Sequence, residues 1–109
     1  MKDYTKTKEY KGIKNALIKY LEDTNNNNPY FLGLVEDYMD LWVIKNQLRD
    51  DIKERGVVCK YQNGETQWGY KRNDSVGELN KVSSQMLKIL SQLKIEPNKL
   101  EIVEEDDEL

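Results

Sequence analysis

The chain has 109 residues, of which 38% are hydrophobic and 34% charged, and its net charge is -3. That length suits one domain with a modest core, leaves no room for a separate catalytic domain, and contains no apolar run near the roughly 18 residues of a membrane span. A single cysteine, Cys59, and the lack of histidine exclude an internal disulfide, a Ser-His or Cys-His catalytic pair and any usual zinc set.

The opening MKDYTKTKEYKG has no apolar core of a signal peptide, so the expected location is the cytosol. Charge is unevenly spread. Residues 1–19 hold six lysines against two acids, a net of +4, whereas residues 101–109 hold six carboxylates and no base, a net of -6. A basic head and an acidic tail point to two different partners, or to one arm that competes with a polyanion for the other.

From about Tyr4 to Asp23, Tyr10, Ile13, Leu17 and Tyr20 or Leu21 recur at spacings of three and four, which predicts a helix. Lys8, Lys11, Asn15 and Lys19 then share its opposite face. Two readings stand: a lysine stripe that meets DNA phosphates, and an ordinary solvated face. The candidate DNA contacts are Lys6, Lys8, Lys11, Lys14 and Lys19, with Lys71 and Arg72 further on.

Asn28-Pro29 predicts a second helix start, because asparagine caps and proline at the first helical position loses no needed hydrogen bond. Leu34, Tyr38, Leu41, Lys45, Leu48 and Ile52 form a heptad-like seam widened by Val35 and Trp42. Gly56, able to take a left-handed conformation, is the expected stop. Glu36, Asp37, Asp40, Asp50, Asp51 and Glu54 read as solvated acidic positions rather than as a cation site.

Asn63-Gly64 predicts a type I′ hairpin turn, with Val57 opposite Tyr70, Cys59 opposite Trp68 and Tyr61 opposite Thr66 on one aromatic face. Val58, Lys60 and Gln62 then fall on the wet face. A two-stranded ribbon is marginal alone, so the aromatic face is expected to pack on the helices or on a neighbouring subunit. Tyr61, Trp68 and Tyr70 with Lys60, Lys71 and Arg72 also have the composition of a single-strand binder.

Asn73, Asp74 or Ser75 can cap a third helix, and Ser75-Val-Gly-Glu78 reads as a capping box. Val76, Leu79, Ser83, Met86, Leu90 and Leu93 repeat the heptad-like register, and Pro97 is the expected end. The fold class is therefore mainly α: an N-terminal helix, then a long antiparallel helical hairpin whose two helices are joined by a small β-hairpin, then a flexible acidic tail. Residues 1–28 form the basic helix and an Asn-rich linker, 29–98 the core and oligomerisation region, and 99–109 a tail expected to be disordered. Apolar width beyond what two helices can bury marks Tyr38, Leu41, Trp42, Leu48, Trp68, Tyr70, Met86 and Leu90 as candidate oligomer or partner contacts. No catalytic constellation, metal set or cofactor loop is present in the sequence.

The string IKERGVV, NGE, WGYKRN and LNKVSSQMLKILSQLKIEP, spanning roughly Leu48 to Asn98, resembles the small subunit of the phage terminase in its short form from tailed phages. The structural signature of the resemblance covers Arg55 to Val58, Asn63, Gly64 and Asn73 to Leu93; the family often has proline after that asparagine, where this chain has Asp74. The resemblance implies a non-enzymatic packaging factor in the bacterial host cytoplasm. Such a factor forms a ring-like homo-oligomer, recognises double-stranded viral DNA and delivers it to the large terminase subunit, which is both ATPase and nuclease. It transfers no DNA contact, because the basic N-terminal region lies outside the matched stretch. The other reading of the chain is a helical adaptor or regulator that binds protein and no DNA.

Overall fold

A computed structural model describes residues 2–100 of the chain. A 3-10 turn at Tyr4–Lys6 leads into α1 (Lys8–Asp23), followed by α2 (Pro29–Arg55), β1 (Val58–Gln62), β2 (Trp68–Arg72), α3 (Asp74–Gln92) and a second 3-10 turn at Pro97–Lys99. The predicted order of elements holds. The acidic run expected to be a disordered tail lies, from residue 101, outside the described residues.

The helix ends have local causes. Thr7 caps α1 by accepting from Tyr10 N–H, and Asn28 caps α2 by accepting from Phe31 N–H just before Pro29. Gly56 ends α2 with φ 84° and ψ 175°, a region of backbone space essentially reserved for glycine. It has the positive φ expected of it, but the chain leaves the helix extended rather than in a left-handed turn. Lys94 has φ 57°, and the bonds Ile95 N–H to Leu90 O and Lys94 N–H to Ser91 O make a Schellman ending for α3. That ending stops the helix before Pro97 is reached.

α2 is central, about 40 Å long for its 27 residues. α3 packs along it as an antiparallel hairpin, and α1 lies antiparallel on its N-terminal two thirds, since Tyr4 meets Asp50, Tyr10 meets Trp42 and Lys14 meets Glu36. Where three helices meet, Leu17, Leu21, Val35, Met39, Leu93 and Ile95 form the buried core. Beyond that junction α1 thins to its N-terminal turn, which touches α2 at Trp42 and Asp50. The rest of the α2 seam, including Leu41, Leu48 and Ile52, is therefore half-buried.

The ribbon departs from the sequence expectation. Val58 pairs with Arg72, Lys60 with Tyr70 and Gln62 with Trp68, three residues out of the register that an Asn63-Gly64 turn dictates. Asn63 does not adopt positive φ, which a type I′ turn needs at both central residues. Residues 63–67 instead form a longer loop closed by Asn63 N–H to Gln67 O at 2.6 Å. The register is set at the other end. Asn73 N–H donates to Val57 O at 2.7 Å, continuing the same ladder, and the tip absorbs the residues left over. An odd shift exchanges the faces of one strand relative to the other. Trp68 and Tyr70 consequently share a face with Val58, Lys60 and Arg72, not with Cys59 and Tyr61, and they do not pack on the helices. On the other face Tyr61 crosses Gly69, where an added Cβ would stand 3.1 Å from the ring.

Candidate nucleic-acid interface

The ribbon is anchored by a polar cluster at its base. Asn73, whose side chain is fully buried, accepts at Oδ1 from Ser75 N–H and from Arg55 Nη2, both at 3.0 Å. Its Nδ2 donates to Asp51 Oδ2 at 3.0 Å and to Gly56 O at 2.9 Å. Asp51 also accepts two bonds from Arg55, at 2.7 and 2.8 Å, and one from the Ser75 hydroxyl at 2.7 Å. The Arg55, Ser75 and Asn73 donors, in that order of weight, hold the Asp51 carboxyl well below its ordinary value. Asp51 is thus not a solvated acidic position, and Ser75 is not the cap of α3; Asn73 is. Asp50 also has a structural role, accepting from the Tyr4 hydroxyl and raising the pKa of that phenol.

From this base the two strands pack chiefly on each other. Their outer face carries Val58, Trp68 and Tyr70, which are 58%, 57% and 67% exposed. The Trp68 and Tyr70 rings meet edge to face with centroids 6.0 Å apart, and Lys60 Nζ lies 4.9 Å from the Trp68 centroid. Arg72 stands at the base of the same face, opposite Val58. Residues 57–73 hold three cations, Lys60, Lys71 and Arg72, against the single acid Glu65. All three cations are exposed.

The lysines of α1 and of the turn before it do not act as one set. Lys6, Lys8, Lys11 and Lys19 are exposed, Lys6 lies 4.0 Å from Asp3, and Lys19 pairs with Asp23 at 2.9 Å. Lys14 is half-buried and bonds Glu36 at 3.1 Å, a strut between α1 and α2. A further basic group was not singled out by the sequence reading. Lys2, Arg49 and Lys53 surround a polar cavity of about 320 Å³ together with Tyr4, Glu9 and Asp50. The i,i+4 spacing of Arg49 and Lys53 was the available signal.

Among the candidate contact residues, Trp42 packs edge-on against Tyr4 and Tyr10. Tyr38 and Leu90 pack against the core, and Met86 is buried inside the helical hairpin. Leu41 lines an open groove of about 450 Å³ between α2 and α3, with Asp37, Asp40, Gln85, Lys88 and Ile89. Ile44 and Leu87, the latter beside the α3 seam, are exposed, Leu87 by 68%. Among the described residues there is no group of three His, Cys, Asp or Glu side chains that could hold a metal, and no helix is long and apolar enough to cross a membrane.

The chain is thus a long helical hairpin with a cationic, aromatic ribbon at its tip and a lysine-bearing helix on its flank. A model of the family described as "Phage terminase, small subunit" matches residues 11–107, and the chain belongs to that family. Its role therefore lies in phage DNA packaging. The match begins at Lys11 and so reaches into α1, well before the stretch that carried the resemblance. No curated protein and no solved structure matches the chain.

Proposed function

We propose that this chain recognises viral double-stranded DNA and presents it to the large terminase subunit, itself contributing no catalysis. The observation that carries this reading is the accumulation of exposed cations on two elements, Lys8 and Lys11 on α1 and Lys60, Lys71 and Arg72 on the ribbon, in a chain whose net charge is -3. A net-negative protein that concentrates its cations retains local attraction for a polyanion.

In this reading the protein works in the bacterial host cytoplasm as a ring-like homo-oligomer. The half-buried Leu41 and Leu48 and the exposed Ile44 and Leu87 supply contact surface on α2 and α3, since the packing of one chain leaves them partly uncovered. The adaptor reading, protein contacts without DNA, is favoured by one specific feature: Lys14 and Lys19 are already paired with carboxylates. The two separate in a salt series of affinity for duplex DNA. Changing Lys8, Lys11 and Lys19 together to Ala should reduce the slope of log affinity against log salt by up to about 2.7, at roughly 0.9 per phosphate contact. An unchanged slope removes those lysines from the site, and absence of binding by the unmodified chain at moderate salt favours the adaptor.

A further inference from the structure

We infer that the outer face of the ribbon, formed by Val58, Lys60, Trp68, Tyr70 and Arg72, is the element that enters the DNA, seated in the major groove of a duplex. This deepens the proposed function and rests on it. The first support is structural economy. A two-stranded ribbon is marginal in water unless one face is covered, yet this one turns its largest apolar side chains outward, with Trp68 57% and Tyr70 67% exposed. Their edge-to-face contact and the Lys60 ammonium over Trp68 are contacts made within that face.

The second support is charge. Lys60 and Arg72 flank the two rings, Lys71 lies on the reverse face, and among the described residues none of the three has a carboxylate partner. A second copy of the same face is a poor occupant, because joining two such surfaces gathers two copies each of Lys60 and Arg72 in one contact with no carboxylate on that face to offset them. A polyanion is a good one. The third support is shape. Strands of five residues run about 17 Å, and a two-stranded ribbon fits the roughly 12 Å width of the B-form major groove. There the cations reach the bordering phosphates and the rings reach base edges and thymine methyl groups.

The chain has two tryptophans, Trp42 and Trp68, so Trp42→Phe leaves Trp68 as the only indole. Titrating that variant with duplex DNA should quench or shift Trp68 emission as the complex forms. Lys60→Ala with Arg72→Ala should weaken duplex binding about tenfold at moderate salt and reduce the salt slope by about 2, one per lost phosphate contact. Both positions are exposed, so that double variant should lose no more thermal stability than the Lys60–Trp68 contact supplies and should still unfold in one transition near that of the unmodified chain. If Trp42→Phe fails to fold, the same reading comes from comparing the unmodified chain with Trp68→Phe, in which the DNA-dependent change should vanish.

Duplex binding with unaltered Trp68 emission and an unaltered slope in the double variant would overturn the ribbon assignment and leave DNA recognition to α1. Stronger quenching by single-stranded DNA than by duplex would overturn the groove geometry in favour of base stacking. Quenching by a peptide of residues 101–109 but not by DNA would make the face a protein contact and overturn the inference. No duplex binding by the unmodified chain would bring down the proposed DNA recognition, and the inference with it.

Discussion

Asn73 Nδ2 donates to Asp51 Oδ2 at 3.0 Å across 22 residues of sequence, and through that bond the end of α2, the root of the ribbon and the start of α3 become one unit. The same amide accepts from Ser75 N–H as the cap of α3. Asn73→Ala removes both functions and leaves Gly56 O, in a part-buried site, without its donor. The variant should lose about 2 to 3 kcal/mol of stability, the sum of a cap and a part-buried unsatisfied acceptor, read from urea unfolding followed by circular dichroism. A loss below about 0.5 kcal/mol, the scale of an ordinary surface change, would mean the cluster is ornamental.

Acid should find this cluster. The Asp51 carboxyl is held below its ordinary value of 3.8 by Arg55, Ser75 and Asn73. A group with a depressed folded pKa contributes stability that is present above its unfolded pKa and is lost as pH falls toward the folded one. The urea midpoint should therefore decline as pH drops from about 5 toward 2. Asp51→Asn should start lower at neutral pH and decline less steeply, and parallel curves for the two proteins would assign the acid sensitivity elsewhere.

Lys94 offers a change in the opposite direction. It occupies the left-handed position of the Schellman ending at φ 57°, where α1 uses Asn25 at φ 61°. Left-handed backbone strains a side chain with a Cβ and does not strain glycine. Lys94→Gly should stabilise the protein by about 0.5 to 1 kcal/mol after the added unfolded-state entropy is subtracted, seen as a rise in the thermal midpoint.

Leu87 separates folding from assembly. Its side chain is 68% exposed on α3, so Leu87→Glu should alter the stability of a single chain by no more than about 0.5 kcal/mol. If the helical hairpins assemble through this face, the same substitution should lower the mass of the species in solution. An assembly that keeps its mass in Leu87→Glu excludes this part of α3 from the contact.

The features that could be read from the sequence were those whose causes lie within a few residues. Asn28 before Pro29 and Gly56 after Arg55 mark the ends of α2 by chemistry confined to one turn, and the spacing from Val76 to Leu93 describes the face of α3 that meets α2. The ribbon register was misread because Asn63-Gly64 is a local signal, whereas the constraint that prevails joins Asn73 to Val57 and Gly56. The same misreading placed Lys60 on a face apart from Trp68. Periodicity put Asp51 on the polar side of a helix but could not supply its partner at Ser75, 24 residues later. Lys14 looked like one member of a basic set for the same reason, since its partner Glu36 sits on another helix.

If the packaging subunit assembles into a ring as proposed, the molar mass in solution shows it most directly. Light scattering on the purified chain at physiological salt should give one discrete mass, several times the 12.9 kDa of a single chain, and unchanged on moderate dilution. A mass of one or two chains at every concentration, with duplex DNA present as well as without it, would contradict the ring and leave a helical adaptor as the better description.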